Sequence, residues 1–235
     1  MSIVAGVDGC RGGWVAVLKD MEGRAVPSLT LCPTFRDVLA LDAAIIAIDM
    51  PIGLPDFLGV HGRHADLQAR AVLGPRKSSL FPPPARAALM ATDYVQACEI
   101  NRDYSDPPRA LSRQTFNLFP KMREIDAVMT PAMQARVHES HPEFAFFMLN
   151  GAEPMAHAKK NPDGAAERKA LLEKAGFRRS LLEDRSCPRS KIAADDILDA
   201  AVLALVAEKI HLGTARRVPR EPALDAKGLR MEIWG

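Results

Sequence analysis

The sequence lacks the features of a secreted, zinc-binding or membrane-spanning protein. Its four cysteines, in a chain of 235 residues, form no CxxC pair and have no histidine at zinc-ligand spacing. We therefore predict that Cys10, Cys32, Cys98 and Cys187 are reduced thiols of a cytoplasmic protein. No apolar run approaches the roughly 20 residues of a membrane span. The N-terminus enters a predicted strand directly, without the pattern of a signal peptide, so no association with a membrane is expected.

The chain also lacks an excess of charge of either sign. Its 31 Lys and Arg residues nearly balance its 29 Asp and Glu residues, for a net charge of +2. No general attraction to nucleic acid is therefore predicted, and a polyanion site would have to be a local basic patch. The candidate patches are the basic pairs at 76–77, 159–160 and 178–179. Such pairs are simplest to interpret as solvated surface. What is present is an ordinary composition, 48% hydrophobic and 26% charged, which suits one α/β domain with a substantial core.

Two apolar runs near the N-terminus each end in an aspartate. The first, at 3–7, is followed by Asp8 and a glycine-rich turn, after which a second run at 14–18 predicts a β-hairpin. The other, at 43–49, ends in Asp49 and a turn containing Pro51, Gly53 and Pro55. Such an aspartate either caps its turn or carries a carboxylate into the cleft where open α/β sheets bind ligands. The glycines match neither the phosphate loop nor the dinucleotide-binding pattern.

The remaining pattern predicts alternating strands and helices, with one long helical region. A strand at 24–31 precedes a helix at 34–41 whose N-cap is Thr34. Residues 56–135 are predicted to be a mostly helical insertion within a single domain of residues 1–235, with helices at 65–73, 86–101 and 112–129 around a proline-rich, irregular segment at 74–85. A short strand then precedes a helix that begins at Pro142. Further helices are predicted at 165–175, 178–184 and 193–212, followed by a C-terminal edge strand.

Five acidic residues form one candidate site. Asp196 and Asp199 lie on one face of the last long helix, as do Asp195 and Asp199. Acids in a first turn also suit the helix dipole, which is the structural alternative. Glu139 closes a short predicted strand. Carboxylates from these positions, together with Asp8 and Asp49, would raise one another's pKa if they converged. A hard divalent cation such as Mg²⁺ or Mn²⁺ would resolve that repulsion.

Six ordered motifs carry a resemblance to a known family. They are "GVDGCRGGWVAV", "AIDMPIGLP", "ARAVLGPRKSSLFPPP", "SRQTFNLFPKMREID", "HESHPE" and "DDILDAAVLAL". Together they resemble domain-of-unknown-function family 429, described as predicted RNase H-like nucleases. The resemblance implies an α/β, ribonuclease H-like mixed sheet, with three antiparallel strands and then parallel strands, flanked by helices.

The resemblance also implies roles for individual residues. The metal ligands would be Asp8, Asp49, Asp196 and Asp199, and Glu139 would join them in the catalytic set. The residues Arg76, Lys121 and Glu143 match other motifs and would contact substrate.

The expected function is therefore that of a metal-dependent nuclease or phosphodiesterase, with Mg²⁺ or Mn²⁺ as cofactor and a nucleic acid or nucleotide as substrate. Two alternatives stay open at this point. One is an ATP-dependent phosphotransferase of the actin-like type, whose first hairpin wraps phosphates. The other is a non-catalytic nucleic-acid-binding module with a decayed site. The nuclease hypothesis requires that the carboxylates of Asp8, Asp49 and Asp199 lie close together.

Overall fold

The apolar runs of the first fifty residues form the first four strands of one mixed sheet. The structure, a computed structural model, describes residues 2–235. Over those residues the sheet has seven strands, in the order β3-β2-β1-β4-β5-β7-β6. Their bounds are β1 Ile3–Cys10, β2 Gly13–Asp20, β3 Ser28–Cys32, β4 Ile45–Asp49, β5 Val137–Ser140, β6 Arg217–Val218 and β7 Ile233–Trp234.

The strand directions confirm the predicted fold class. The strands β1, β2 and β3 are joined by antiparallel pairing, and β4 then pairs parallel to β1. The strands β5 and β7 continue the parallel part of the sheet, and β6 pairs antiparallel with β7. This mixed α/β architecture, flanked by helices, is consistent with a ribonuclease H-like fold.

Helices cover both faces of the sheet. One face packs against α1, α3 and α5 around a core that includes Phe35, Ile48 and Met122. The other face packs against α6, α7, α8 and α9 around Ala47, Phe146 and Leu198. The helix bounds are α1 Phe35–Leu39, α2 His64–Leu73, α3 Tyr94–Asp103, α4 Arg113–Asn117, α5 Phe119–Val128, α6 Pro142–Leu149, α7 Pro162–Lys174, α8 Arg179–Leu182 and α9 Ala194–His211.

Several predicted elements differ from the structure for local reasons. The predicted helix at 86–101 is divided into a 3₁₀-helix, Arg86–Met90, and α3, because Asp93 caps a new helix by accepting from two backbone N–H groups. The predicted helix at 112–129 is divided at Leu118, since Pro120 belongs to the first turn of α5.

Three further predictions needed correction. The segment expected to be irregular begins with a 3₁₀-helix, Gly74–Ser79. The strand β3 starts later than predicted because Asp20 accepts hydrogen bonds from three backbone N–H groups of residues 22–25 and folds them into a turn. The C-terminal strand β7 lies inside the sheet, between β5 and β6. By contrast, Thr34 caps α1 as predicted. The division into one domain with an insertion at 56–135 stays a prediction.

The closest contact between the sheet and its helices is made by Gly6 of β1. A Cβ atom at this position would lie 2.0 Å from the backbone nitrogen of Ala204 and 2.1 Å from the carbonyl oxygen of Ala200, both in α9. The backbones of β1 and α9 therefore touch, with no side chain between them. Alanines of α9 line this contact, and Ala200 and Ala204 are fully buried. Within residues 2–235, no helix is both long and apolar enough to cross a membrane.

Replacing Gly6 should strongly destabilise the protein. In Gly6→Ala, the new methyl group would overlap backbone atoms that cannot rotate away, so we expect a loss of about 3 kcal/mol or more in the free energy of unfolding. Urea denaturation measures the loss. The matched control is Gly59→Ala, where a Cβ meets no atom within 4 Å and stability should stay within about 0.5 kcal/mol. Equal stability of the two variants would contradict the proposed close contact.

Candidate active site

Two aspartates leave adjacent parallel strands on the same face of the sheet. Residues alternate between the two faces of a strand, so Asp8 shares the face of Gly6, which contacts α9. The register pairs Val7 of β1 with Ile48 of β4, which places Asp8 and Asp49 side by side one residue further along. Asp8 is 7% exposed and its Oδ1 accepts a hydrogen bond of 2.7 Å from the backbone of Gly9.

The helix α9 supplies the remaining carboxylates. Because its backbone touches β1 at Gly6, its first turns lie directly over the two strand aspartates. Asp199 is 2% exposed. The Oδ2 atom of Asp196 accepts a hydrogen bond of 2.7 Å from the backbone nitrogen of Ala193, just before the helix. Asp196 therefore has both of the roles considered for acids in the first turn of this helix. It caps α9, and it also faces the other acids.

The four carboxylates line one cavity, where burial raises the pKa of each. Burial, followed by the charges of Asp49, Asp199 and Asp196, raises the pKa of Asp8 well above its usual value. Burial raises the pKa of Asp49 to about 6 and that of Asp196 to about 6. It also raises the pKa of Asp199. The structure thus brings together the four residues that the resemblance assigned as metal ligands, which we call the carboxylate cluster.

The carboxylate cluster is neutralised in part by Lys159, a residue that the sequence offered only as half of a basic pair. The Nζ atom of Lys159 lies 2.8 Å from Oδ2 of Asp199 and 3.5 Å from Oδ2 of Asp195. Burial opposes the charged form of Lys159, but the attraction of Asp199, Asp8 and Asp195 leads to a net rise in its pKa. Its side chain is 42% exposed, whereas that of Asp199 is 2% exposed.

The backbone just before Lys159 is anchored by α7. The carboxylate of Glu167 accepts hydrogen bonds from the backbone nitrogens of residues 156 and 157. Arg168 donates to the carbonyl of His157. Gly164 allows the first turn of α7 to pack against the carbonyl of Ala158, since a Cβ there would lie only 2.1 Å away. The connection between α6 and α7 therefore holds Lys159 at the cluster.

Glu139 does not join the carboxylate cluster. In the register of β4 and β5, Glu139 pairs with Ile48, and Ser140 pairs with Asp49. The side chain of Glu139 therefore points to the face opposite that of Asp49. We expected one set of five acids, and the alternation of strand residues divides it. The sequence did not predict this separation of Glu139 from the other acids, because it does not specify the register between β4 and β5.

Glu139 instead belongs to a buried ion-pair network around Arg63. Its Oε1 atom lies 2.5 Å from Nη2 of Arg63, and its Oε2 atom accepts from the backbone nitrogen of Ile52 at 2.6 Å. Arg63 also pairs with Asp66 and donates to the carbonyl of Gly53, so all five of its N–H groups are used. This network fixes the turn that follows β4. Neither Arg63 nor Asp66 carried a recognisable signal in the sequence.

Two of the residues predicted to contact substrate are held by the protein itself. Arg76 lines the cavity described below, and its guanidinium donates to the carbonyls of Met155 and Ala156. Lys121 belongs to α5 and packs against the first hairpin. Its ammonium donates to the carbonyl of Gly13 and lies 4.4 Å from the ring centroid of Trp14. Both residues therefore brace the walls of the site, and their contact with substrate stays a prediction.

The third residue, Glu143, lies at the start of α6. His141 is the N-cap of α6, and its Nδ1 atom accepts from the backbone nitrogen of Glu143. The Oε2 atom of Glu143 pairs with Arg168 at 2.8 Å. Nothing in the sequence indicated a role for Arg168, because it is a charged residue on a helix whose pattern predicts an amphipathic, exposed element.

A cavity of about 470 Å³ connects these groups. One end is lined by the carboxylate cluster and Lys159, and another part by Arg63, Glu139 and Glu143. Apolar residues of the proline-rich segment and of β7 complete the walls, namely Leu80, Phe81, Pro82 and Ile233. The size is typical of a site for a small ligand or a single unit of a polymer.

The carboxylate cluster has the chemistry that a hard divalent cation requires. Its donors are all carboxylate oxygens, which suit Mg²⁺ and Mn²⁺, and their raised pKa values reflect first of all their burial. Across residues 2–235, however, no three His, Cys, Asp or Glu side chains are already arranged around a common point as a formed metal site. Lys159 would have to leave Asp199 before that oxygen could coordinate an ion.

Comparison with known families identifies the chain. The family described as "Protein of unknown function (DUF429)" matches residues 6–224. The chain belongs to this family. Comparison with curated proteins and with solved structures gives no significant match. The predicted family is therefore confirmed for this DUF429 protein, and its nuclease activity stays a prediction.

The raised pKa of Asp49 predicts a pH-dependent stability. A carboxylate whose folded pKa is raised stabilises the fold at low pH and loses that contribution as pH rises through its folded value, here about 6. Asp49→Asn should therefore stabilise the metal-free protein by about 1–3 kcal/mol at pH 8, and the gain should disappear near pH 4. Thermal unfolding between pH 4 and 8 measures this. The exposed Asp42→Asn is the control, and a constant gain at every pH would contradict the assignment.

The position of Lys159 predicts opposite effects on stability and on metal affinity. Lys159→Met removes the counter-charge of Asp199, so we expect the metal-free protein to lose about 1–2 kcal/mol, between the values for exposed and buried pairs. The affinity for Mn²⁺, measured by calorimetry, should rise about tenfold because no ammonium competes. The neighbouring Lys160→Met is the control, with little change expected in either measurement. A weaker Mn²⁺ affinity in Lys159→Met would refute the competition.

Proposed function

We propose that this DUF429 protein is a divalent-metal-dependent phosphodiesterase that acts on a nucleic acid or nucleotide. The observation that carries the proposal is the convergence of Asp8, Asp49 and Asp199 from two adjacent strands and the helix packed against them. Asp8 and Asp199 are buried and Asp49 is partly buried, and carboxylates with raised pKa values in such positions are costly for stability. Such a cost is typical of a functional site, and Lys159 compensates only part of it.

In this proposal the carboxylate cluster holds Mg²⁺ or Mn²⁺. When bound, the ion supplies a Lewis acid that polarises the phosphoryl group and activates water. The chain contributes a rigid arrangement of ligands, because Asp8 and Asp49 are fixed by strand pairing and Asp199 by the contact of α9 with Gly6. The low exposure of Asp8 and Asp199 excludes bulk water, which strengthens every charge interaction within the site.

Lys159 has a second role in this proposal. Once its ammonium leaves Asp199, the anchored backbone keeps it at the rim of the same cavity, where Lys160 and Arg76 also lie. These cations form the local basic patch that a phosphate group needs, and the chain has no general excess of positive charge. A partner with few phosphate contacts fits this arrangement better than a long duplex does.

We also propose that the protein acts in the cytoplasm. All four cysteines lie within residues 2–235 and are free thiols, and Cys10, Cys32 and Cys98 are buried. A reducing compartment maintains such thiols.

The test combines metal binding and cleavage in three variants. Asp8→Asn and Asp199→Asn each remove one ligand charge, and Asp42→Asn is the exposed control. Mn²⁺ binding is measured by calorimetry, and cleavage is measured on single-stranded, duplex, hybrid and branched nucleic acids, dinucleotides and ATP. We expect wild type and Asp42→Asn to bind Mn²⁺ and cleave, and each ligand variant to lose more than about 100-fold in cleavage. Mn²⁺ binding without cleavage of any phosphodiester, or no Mn²⁺ binding, would overturn the proposal.

A further inference from the structure

One carboxylate oxygen of Glu143 is buried without a hydrogen-bond partner. The side chain is 6% exposed, and its Oε2 atom pairs with Arg168. The Oε1 atom has no partner within residues 2–235. Glu143 lines the cavity that also contains the carboxylate cluster. A buried acceptor without a donor costs more than an ordinary hydrogen bond contributes, and a ligand donor that reached this oxygen from the cavity would remove that cost.

The side chain of Glu143 cannot easily turn to find a donor elsewhere. Its backbone is fixed at the start of α6 by the cap that His141 provides. Its Oε2 atom is held by Arg168, which is 2% exposed and also donates to the carbonyls of His157 and Gly164. The guanidinium of Arg168 further lies 5.3 Å from the ring centroid of Phe146. Glu143 is thus a preorganised acceptor, and preorganisation is what selective binding sites require.

The dimensions of the cavity limit what can bring such a donor. A volume of about 470 Å³ is of the size that accommodates one nucleotide. The deepest acids, Asp8 and Asp199, are 7% and 2% exposed, so a phosphate can approach them only if the unit that carries it enters the cavity. The apolar wall at Phe81 and Pro82 offers a surface against which a base can pack.

We propose that Glu143 is a specificity-determining residue whose Oε1 atom accepts a hydrogen bond from a single nucleotide unit, the phosphate of which lies at the carboxylate cluster. The donor is an amino group of a purine base or the 2′-hydroxyl group of the ribose. The substrate class is therefore a nucleotide or the end of a single strand. This inference rests on the proposed phosphodiesterase function, since that function places the phosphate.

Pairs of ligands that differ by one donor test the proposal. Calorimetry in the presence of Mn²⁺ compares the dissociation constants of GMP and IMP, AMP and purine riboside monophosphate, and each ribonucleotide and its 2′-deoxy form. The first two pairs test a base amino group and the last tests a ribose hydroxyl. We expect wild type to bind the donor-bearing member of at least one pair about tenfold more tightly or better. Equal affinities in every pair, or no nucleotide binding, would overturn the proposal.

Glu143→Gln then links the preference to this side chain. The amide can pair with Arg168 only through its oxygen, so its NH₂ group takes the position of Oε1 and presents a donor where an acceptor stood. We expect the preference found in wild type to disappear or reverse. Glu153→Gln, on the exposed connection after α6, is the control and should keep it. A Glu143→Gln protein that folds, as judged by thermal unfolding, and keeps the preference would refute the role of Glu143.

These experiments distinguish a failure of this inference from a failure of the proposed function. Cleavage of nucleic acid with equal affinities in every ligand pair would overturn the role of Glu143 and leave the phosphodiesterase intact. Nucleotide discrimination that depends on Glu143, without cleavage of any phosphodiester, would support the binding site and overturn the phosphodiesterase. The ligand pairs are measured on the wild-type protein, so they remain decisive even if Glu143→Gln does not fold.

Discussion

The contact between the backbones of β1 and α9 determines where the acids of the carboxylate cluster can meet. At Gly6 the strand and the helix approach so closely that no Cβ atom fits between them. That distance brings the first turns of α9 down to the ends of β1 and β4. Asp199 can then meet Asp8 and Asp49, although it lies 150 positions beyond Asp49 in the sequence and 191 beyond Asp8. A larger residue at position 6 would force the strand and the helix apart.

The convergence has an electrostatic cost, and the fold partly offsets it with an internal cation. Burial raises the pKa of each member of the carboxylate cluster, so the charged form of the cluster is strained at neutral pH. Lys159 contributes one positive charge from a connection that is anchored by Glu167 and Arg168. The arrangement therefore keeps the cluster assembled without an ion, and still leaves it with more negative charge than the lysine neutralises.

The sequence predicted the strands and the four aspartates well, because both depend on local pattern. Continuous apolar runs marked β1 and β4, and the spacing of Asp196 and Asp199 placed them on one helical face. The face of the sheet on which Glu139 lies depended instead on the pairing of β4 with β5, which no local pattern specifies. The contacts of Lys159, which the sequence offered only as half of a basic pair, and of Arg168 were not predicted for a similar reason, since a lysine in a polar loop and an arginine on a helix are usually exposed. Long-range packing alone distinguishes them.

The anchored backbone around Lys159 also has a kinetic consequence. Because residues 156–158 are held by hydrogen bonds to α7, the ammonium can leave Asp199 by rotation about its own side-chain bonds, without movement of the loop. The side chain is 42% exposed, and rotamer changes of exposed side chains take picoseconds to nanoseconds, whereas loop motions extend to microseconds. In the proposed function, exchange of the internal cation for an external one would then be limited by the arrival and dehydration of the incoming ion.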